Sequence, residues 1–484
     1  MSSAAPASGR PVSSPARHAR ACLAWLLHWP ARARRTGQLA AIAVFLPAML
    51  AAVFYSHLVR SLWGGSMPLN DFFAFWSWSA MTHILVHPLA IYTPATVQAF
   101  LHGEEPAFHG HYPFAYPPSF LLLTWPLALV SRPLAYGIWS VASLAAYLAA
   151  MVQKPWRRPI ALLTLFAPAT ALTLETGQDG LLMAALLYGG CRLLPRRPVL
   201  AGVLFGLLSC KPQFGLLLPV ALLAARQWRT IAAAAATVLA TVIASAAAFG
   251  WGMWGRWVAA LWQLSSFVAG RARLYPLMPT VTGTLHQLGV GPLPRVLVQA
   301  AATLLAGLCV WLCWRRGPGR LPSAVLQVGC FLATPYAFCF DLPIMTGALL
   351  NVVLERAEAD AAFGLGEVLV LFAAVLLPAL MAAFHGPVPW SALVLPPLFA
   401  LIVARAHRAM PGTGPAHPPG SRTGPAPLRW PLRLGSRFLG SVPGSAAPAA
   451  GRASEAMRPL AEWSEANAPF RALTEPAHPI RPVL

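Results

Sequence analysis

The chain has 484 residues, of which 57% are hydrophobic and only 10% charged, and its formal net charge is +21. A soluble globular chain carries about 25% charge, so a set of water-soluble domains is excluded and a membrane bundle takes its place. Nucleic-acid binding is excluded as well, because the arginines gather at the ends of apolar runs and in the termini, the positive-inside pattern of a membrane protein.

Residues 1–36 are rich in Pro, Ser, Ala and Arg and read as a basic, disordered cytoplasmic N-terminus. The apolar run over 38–57 is too long for a signal-peptide core and reads as an uncleaved first span. It opens a transmembrane domain of residues 37–407. The next loop, 58–115, is aromatic and rich in His. Its segment DFFAFWSWSAMTHILVHPLA mixes aromatic and polar residues as a helix lying in the membrane interface does. His83 and His87 have the i, i+4 spacing that can grip a metal. Nothing supplies the Glu of an HExxH motif, so interfacial packing is the stronger reading and no metal is expected.

Further apolar runs fall near 119–131, 134–152, 159–174, 179–193, 198–210, 212–225, 230–250, 296–314, 322–336, 342–354, 364–383 and 390–405. They predict an all-α, polytopic transmembrane helix bundle of about 11 to 13 spans, with a long first external loop carrying interfacial helices. RLLPRR (192–197), RQWR (226–229), WRRGPGR (314–320) and ARAHR (404–408) mark the cytoplasmic side. KPWRR (154–158) falls on the wrong side of this count unless one run between 116 and 158 is not a full span. The seven cysteines form no CxxC pair and read as small buried hydrophobes. The tail, 408–484, is rich in Pro, Gly, Ser and Arg, so it is expected to be disordered and cytoplasmic.

Carboxylates are expensive beside a bilayer, so their positions are informative. Asp71, Glu104, Glu105, Glu175 and Asp341 converge on the non-cytoplasmic side of this topology. Asp71, in PLNDFFAFW, is either the cap of an interfacial helix or a functional group. Glu104 and Glu105 read as a surface turn. Glu175, in LETGQDG, and Asp341, in TPYAFCFDLP, stand between apolar runs as caps or site residues. Glu355, Glu358, Asp360 and Glu367 read as one solvated cytoplasmic loop.

Several segments together resemble the GT-C membrane glycosyltransferases and, more narrowly, glycosyltransferase family 87. They are Asp71 with its aromatic neighbours, Tyr92 in LAIYTP, YPFAYPPSFLLLTWPLAL (112–129), GQDGLLMAALL (177–187), the segment 201–229 around SCKPQFG, TGTLHQLG (282–289) and TPYAFCFD (334–341). Each is weak alone; the ordered set is specific. The resemblance implies a polyprenyl-phosphate sugar donor, with mannose the favoured hexose, and a lipid or glycan acceptor. It implies inverting, metal-independent transfer without a cofactor, at the outer face of a bacterial inner membrane. It makes Asp71 the general base. The chain departs from the family at Pro279–Thr282, where Asn-x-Ser is common, and near Cys339–Asp341, where a His is common.

Transfer to a hydroxyl needs a base for the acceptor's proton, and the departing phosphate calls for fixed cations. Lys211, Arg271 and Arg273 are the candidates, with Tyr275 as a further donor. Tyr116, Gln178 and Tyr336, inside the matching segments, join Glu175 and Asp341 as substrate-binding candidates. A lipid-linked glycan flippase would instead place charges deep in mid-span within a repeated architecture. An O-antigen ligase or polymerase would lean on Arg271 and His286.

Overall fold

A computed structural model describes residues 47–59, 71–84, 88–106, 108, 112–359, 363–384 and 388–408. The N-terminal region 1–36, the start of the first span, His87 and the tail beyond 408 lie outside the described residues. All regular structure among the described residues is helical, as the apolar runs predict.

The chain begins with α1 (Pro47–Val59). A non-spanning unit follows, built of α2 (Asp71–Ile84), α3 (Pro94–Glu104) and α4 (Pro118–Thr124), the last running into a 3-10 turn at Trp125–Leu129. The bundle proper comprises α5 (Arg132–Met151), α6 (Arg157–Leu165), α7 (Pro168–Thr176), α8 (Gly180–Leu193), α9 (Pro198–Leu207), α10 (Leu218–Ala224) and α11 (Trp228–Phe249). It continues with α12 (Gly252–Ala269), α13 (Val281–Gln287), α14 (Pro292–Trp314), α15 (Arg320–Ala333), α16 (Pro343–Glu358), α17 (Leu365–Ala383) and α18 (Trp390–Arg408).

Five of these helices, α5, α11, α14, α17 and α18, are long and apolar enough to cross a membrane. The pair α6–α7, bent by 51°, makes a sixth if taken as one broken span. Among the described residues five or six helices therefore meet the length and composition of a span, beside the about 11 to 13 spans expected. The other apolar runs do form helices, but short ones of 10–17 residues. The reason is proline: Pro118, Pro168, Pro198, Pro212 and Pro343 each occupy the first turn of a helix, where the ring is tolerated, and each stops the run before it.

This also resolves KPWRR. Residues 118–129 form a short helix and a 3-10 turn and not a span, so only α5 passes between the non-spanning unit and residue 152. Arg192 donates to the carbonyl of Val152 at 2.9 Å, and Gln153 bonds Tyr188 Oη at 3.0 Å. Residues 152–158 therefore share one end of the bundle with Arg192 and, through the Arg320–Gln153 contact of 3.4 Å, with Arg320. The same end carries Glu358 against Arg320, and Arg405 between Glu355 at 3.4 Å and Glu367 at 2.7 Å. Glu355 and Glu367 are thus not merely solvated: through Arg405 they tie α16, α17 and α18 together, while Asp360 lies outside the described residues. We expect Arg405→Met to cost about 2–3 kcal/mol, somewhat below the loss for a fully buried pair because both carboxylates keep partial solvent contact. A lowered unfolding temperature in detergent would register it.

Close glycine contacts set the height of the other end. A Cβ on Gly202 would lie 2.5 Å from the Thr230 carbonyl oxygen, and one on Gly206 would lie 2.5 Å from Thr237 Cβ. Helices α9 and α11 therefore run side by side and start level, with Thr230 bonded to the Pro198 carbonyl at 3.0 Å. One turn further along, Lys211 ends the shorter helix near the height of Thr241. The rest of α11 rises about 10 Å above it at 1.5 Å per residue. Lys211 itself is buried.

A candidate active site

Helix α2 packs DFFAFWSW against the 3-10 turn at Trp125–Leu129 and against α3, α4 and α5. Phe72, Phe73 and Phe75 are fully buried. They pack edge-on against Tyr136, Phe108, Phe120 and Trp139. This aromatic floor fixes the first residue of the helix, Asp71. Its Oδ1 accepts from Tyr112 Oη at 2.6 Å and its Oδ2 from Gln178 Nε2 at 2.7 Å. Both partners are side chains from distant segments, so the carboxylate joins three parts of the chain.

Gln178 is held by its turn. Gly177 adopts φ +67° and packs against Phe72 Cβ, an approach and a conformation that suit glycine. Trp139 Nε1 donates to the Gly177 carbonyl at 3.0 Å, and Tyr136 Oη to that of Leu174. The next residue, Asp179, is fully buried and accepts from Lys211 Nζ at 2.7 Å. Lys211 reaches Asp341 as well, at 2.6 Å. Asp341 Oδ2 also accepts from the Phe338 backbone N–H at 2.9 Å, so Asp341 caps its turn and pairs with Lys211 at once. The rings of Tyr116, Phe214 and Phe340 surround the ammonium at 5.4–5.8 Å. Lys211 is thus a neutralised, enclosed cation.

A cavity of about 600 Å³ opens over Asp71 and Tyr112. Its walls are apolar: Leu50, Val53, Phe54 and Leu58 of α1, and Ala379, Leu380, Ala382, Ala383 and Phe384 on the α17 side. Glu175 and His57 line it too, and pair at 3.5 Å. The cavity therefore combines lipid-like walls with one polar corner.

The other sequence candidates fall into two groups. Tyr336 lies close enough to Lys211, Asp341 and Asp71 to feel their charges. Arg273 acts in the same way on the Tyr112 hydroxyl. Arg271 instead lays its guanidinium on the Phe267 ring at 3.7 Å. Tyr275 stacks on His286 at 3.5 Å between centroids and is buried with Val268 and Met278 in a satellite cluster. The structure thus unites Asp71, Tyr116, Gln178, Lys211, Tyr336 and Asp341, sets Glu175 across the cavity, and leaves Arg271 and Tyr275 aside. His83 stacks on Trp125 at 4.5 Å. Tyr112 and Asp179 also join this cluster; both lie in segments quoted from the sequence (112–129 and 177–187) but were not named there as candidates.

Burial pushes the Asp71 carboxyl above the ordinary carboxylate range. The hydrogen bonds from Tyr112 and Gln178 and the Lys211 cation pull it back, while the Asp179 anion adds to the rise. Tyr112 is itself raised by burial and by Asp71, so it remains a neutral donor. A base with an elevated pKa loses function as pH falls through that value. Tyr112→Phe removes a donor to the charged form and so raises the pKa further. Its acid limb should move to higher pH, with transfer at neutral pH reduced about tenfold; a pH–rate profile of the variant against wild type checks both.

A family model for glycosyltransferase family 87 matches residues 114–335. The matched region includes Tyr116, Gln178, Asp179 and Lys211, while Asp71 and Asp341 flank it. No curated protein and no solved structure gives a significant match.

Proposed function

Because this chain belongs to glycosyltransferase family 87 across residues 114–335 and is a membrane glycosyltransferase, we propose that it moves a hexose, mannose by preference, from a polyprenyl-phosphate donor to a hydroxyl of a lipid or glycan. The acceptor oxygen attacks the anomeric carbon, Asp71 takes its proton, and the bond to the phosphate breaks with its electron pair leaving on the polyprenyl phosphate. A single displacement of this kind inverts the anomeric centre. Arg273, whose charge acts on the Tyr112 hydroxyl, meets the departing phosphate. Glu175 takes sugar hydroxyls across the cavity. The site faces the periplasm of a bacterial inner membrane, opposite the arginine-rich end of the bundle.

The observation that carries this reading is the Asp71 carboxylate, gripped at both oxygens and opening on an apolar-walled cavity of about 600 Å³. A nucleotide sugar offers such walls nothing to bury; a prenyl chain does. The test is a transfer assay on membranes holding the full chain, with synthetic farnesyl phosphoryl mannose, farnesyl phosphoryl glucose and GDP-mannose compared as donors. Transfer from a farnesyl phosphoryl sugar alone is the expected result. Transfer from GDP-mannose alone would overturn the donor assignment.

A further inference from the structure

Lys211 is the obvious cation for a leaving phosphate, yet its surroundings argue for another role. Its ammonium lies 2.7 Å from Asp179 and 2.6 Å from Asp341, both fully buried, and aromatic rings surround it. It does not line the cavity over Asp71. The three charged side chains come from three separate places: the turn between α7 and α8, the break between α9 and α10, and the loop before α16. One of these places also carries Gln178, which holds Asp71. Among the described residues, Asp179 Oδ2 and Gln178 Oε1 are buried without a hydrogen-bond partner. Each side chain is thus held through its other polar atom, Asp179 by Lys211 and Gln178 by Asp71.

We infer that the Asp179–Lys211–Asp341 triad is the positioning element of this site, acting on the reaction through Gln178 and Asp71 and not by contact with either substrate. The inference rests on the reading of Asp71 as the base. The triad carries one cation and two carboxylates, so it also biases Asp71 electrically. Other groups facing Asp71 are Tyr112, the Tyr336 hydroxyl and the Cys339 thiol. His57 and Glu175 stand across the cavity, with Arg273 beyond Tyr112. The α17 wall of the cavity, Ala379–Ala383, adds no titratable group. Asp179→Asn keeps the shape and the Lys211 bond while removing one negative charge next to Gln178. Removing an anion makes Asp71 easier to ionise.

The full-length enzyme, purified in detergent, provides two arms. In the first, dicyclohexylcarbodiimide labels the protonated Asp71 carboxyl, read by peptide mass spectrometry across pH without any substrate. The half-labelling pH in Asp179→Asn is expected to fall by about one unit relative to wild type. The acid limb of transfer from farnesyl phosphoryl mannose should fall with it. In the second arm, Lys211→Met strands two buried carboxylates and is expected to lose about 100-fold in transfer. Lys211→Met combined with Asp179→Asn and Asp341→Asn removes all three charges and should regain at least about tenfold. A triple variant that is monodisperse yet no more active than Lys211→Met would make the cation a substrate contact and overturn the inference. An unmoved half-labelling pH in Asp179→Asn would overturn it equally, because a purely structural brace does not shift it. Wild type inert towards the farnesyl donors would count against the proposed function alone, since the labelling arm still reads the triad.

Discussion

Asp71→Asn should abolish measurable transfer, a loss of about 1000-fold, in a protein that folds and purifies as wild type does. The size follows from the usual worth of a positioned general base, 10²–10⁴-fold. The tolerance follows from the site. Asparagine keeps one oxygen for the Tyr112 hydroxyl, which donates to Asp71 at 2.6 Å. Its amide would face the Gln178 amide, and Gln178 has an unused oxygen that a half-turn of the side chain brings round to accept. The variant thus loses the carboxylate and keeps the hydrogen bonds. Asp71→Ala loses both, so it should be as inactive and also less stable, by about 1–3 kcal/mol for the donors left unpaired. Product formation by Asp71→Asn within tenfold of wild type would remove Asp71 from the chemistry.

Gly180→Ala carries the largest expected effect on folding. A Cβ at this position would overlap the Phe340 carbonyl oxygen and stand 3.3 Å from Asp341 Cα. Both obstacles are backbone, and neither can rotate aside. The same junction is held by Thr173 Oγ1 on the Phe340 carbonyl at 2.8 Å and by Lys211 across Asp179 and Asp341. Parting the two strands of chain by even an ångström stretches all three contacts. We expect a loss of about 3 kcal/mol or more, read as a lower unfolding temperature in detergent, with transfer falling in parallel. Gly255→Ala and Gly366→Ala meet nothing within 4 Å and serve as neutral controls. A Gly180→Ala protein as stable as these would mean that the approach of α8 to residue 340 is looser than described.

Much of this was legible in the sequence because membrane proteins concentrate their information in rare residues. Asp71, Gln178, Lys211 and Asp341 stand out against apolar runs, and arginine placement ordered the ends of the bundle well enough to put these four together. What failed was length. A run such as 118–129 is as apolar as a span, but Pro118 starts it and Pro126 tightens it into a 3-10 turn. Hydropathy does not register either. The partner of Lys211 was missed for a different reason. Asp179 sits at the start of α8, where a cap is the ordinary reading of an aspartate, and only the three-dimensional meeting of three loops shows where its carboxylate goes. Tyr112 was hidden in a segment read as a loop, since a single aromatic hydroxyl carries no spacing signal. The roles of Arg271 and Tyr275 were inferred from chemistry alone, and their packing against Phe267 and His286 is invisible to any pattern.

The α17 wall of the cavity is largely alanine, Ala379, Ala382 and Ala383. A wall of methyl groups can host a chemical reporter at almost no change in size. Ala383, exposed at the rim, is the place for it, because the described native cysteines are buried or half-buried and give little background. Ala383→Cys should take up a small maleimide rapidly, and an excess of farnesyl phosphate should slow that uptake severalfold. Occupancy of the cavity then becomes a labelling rate, measurable without turnover and before the natural acceptor is known.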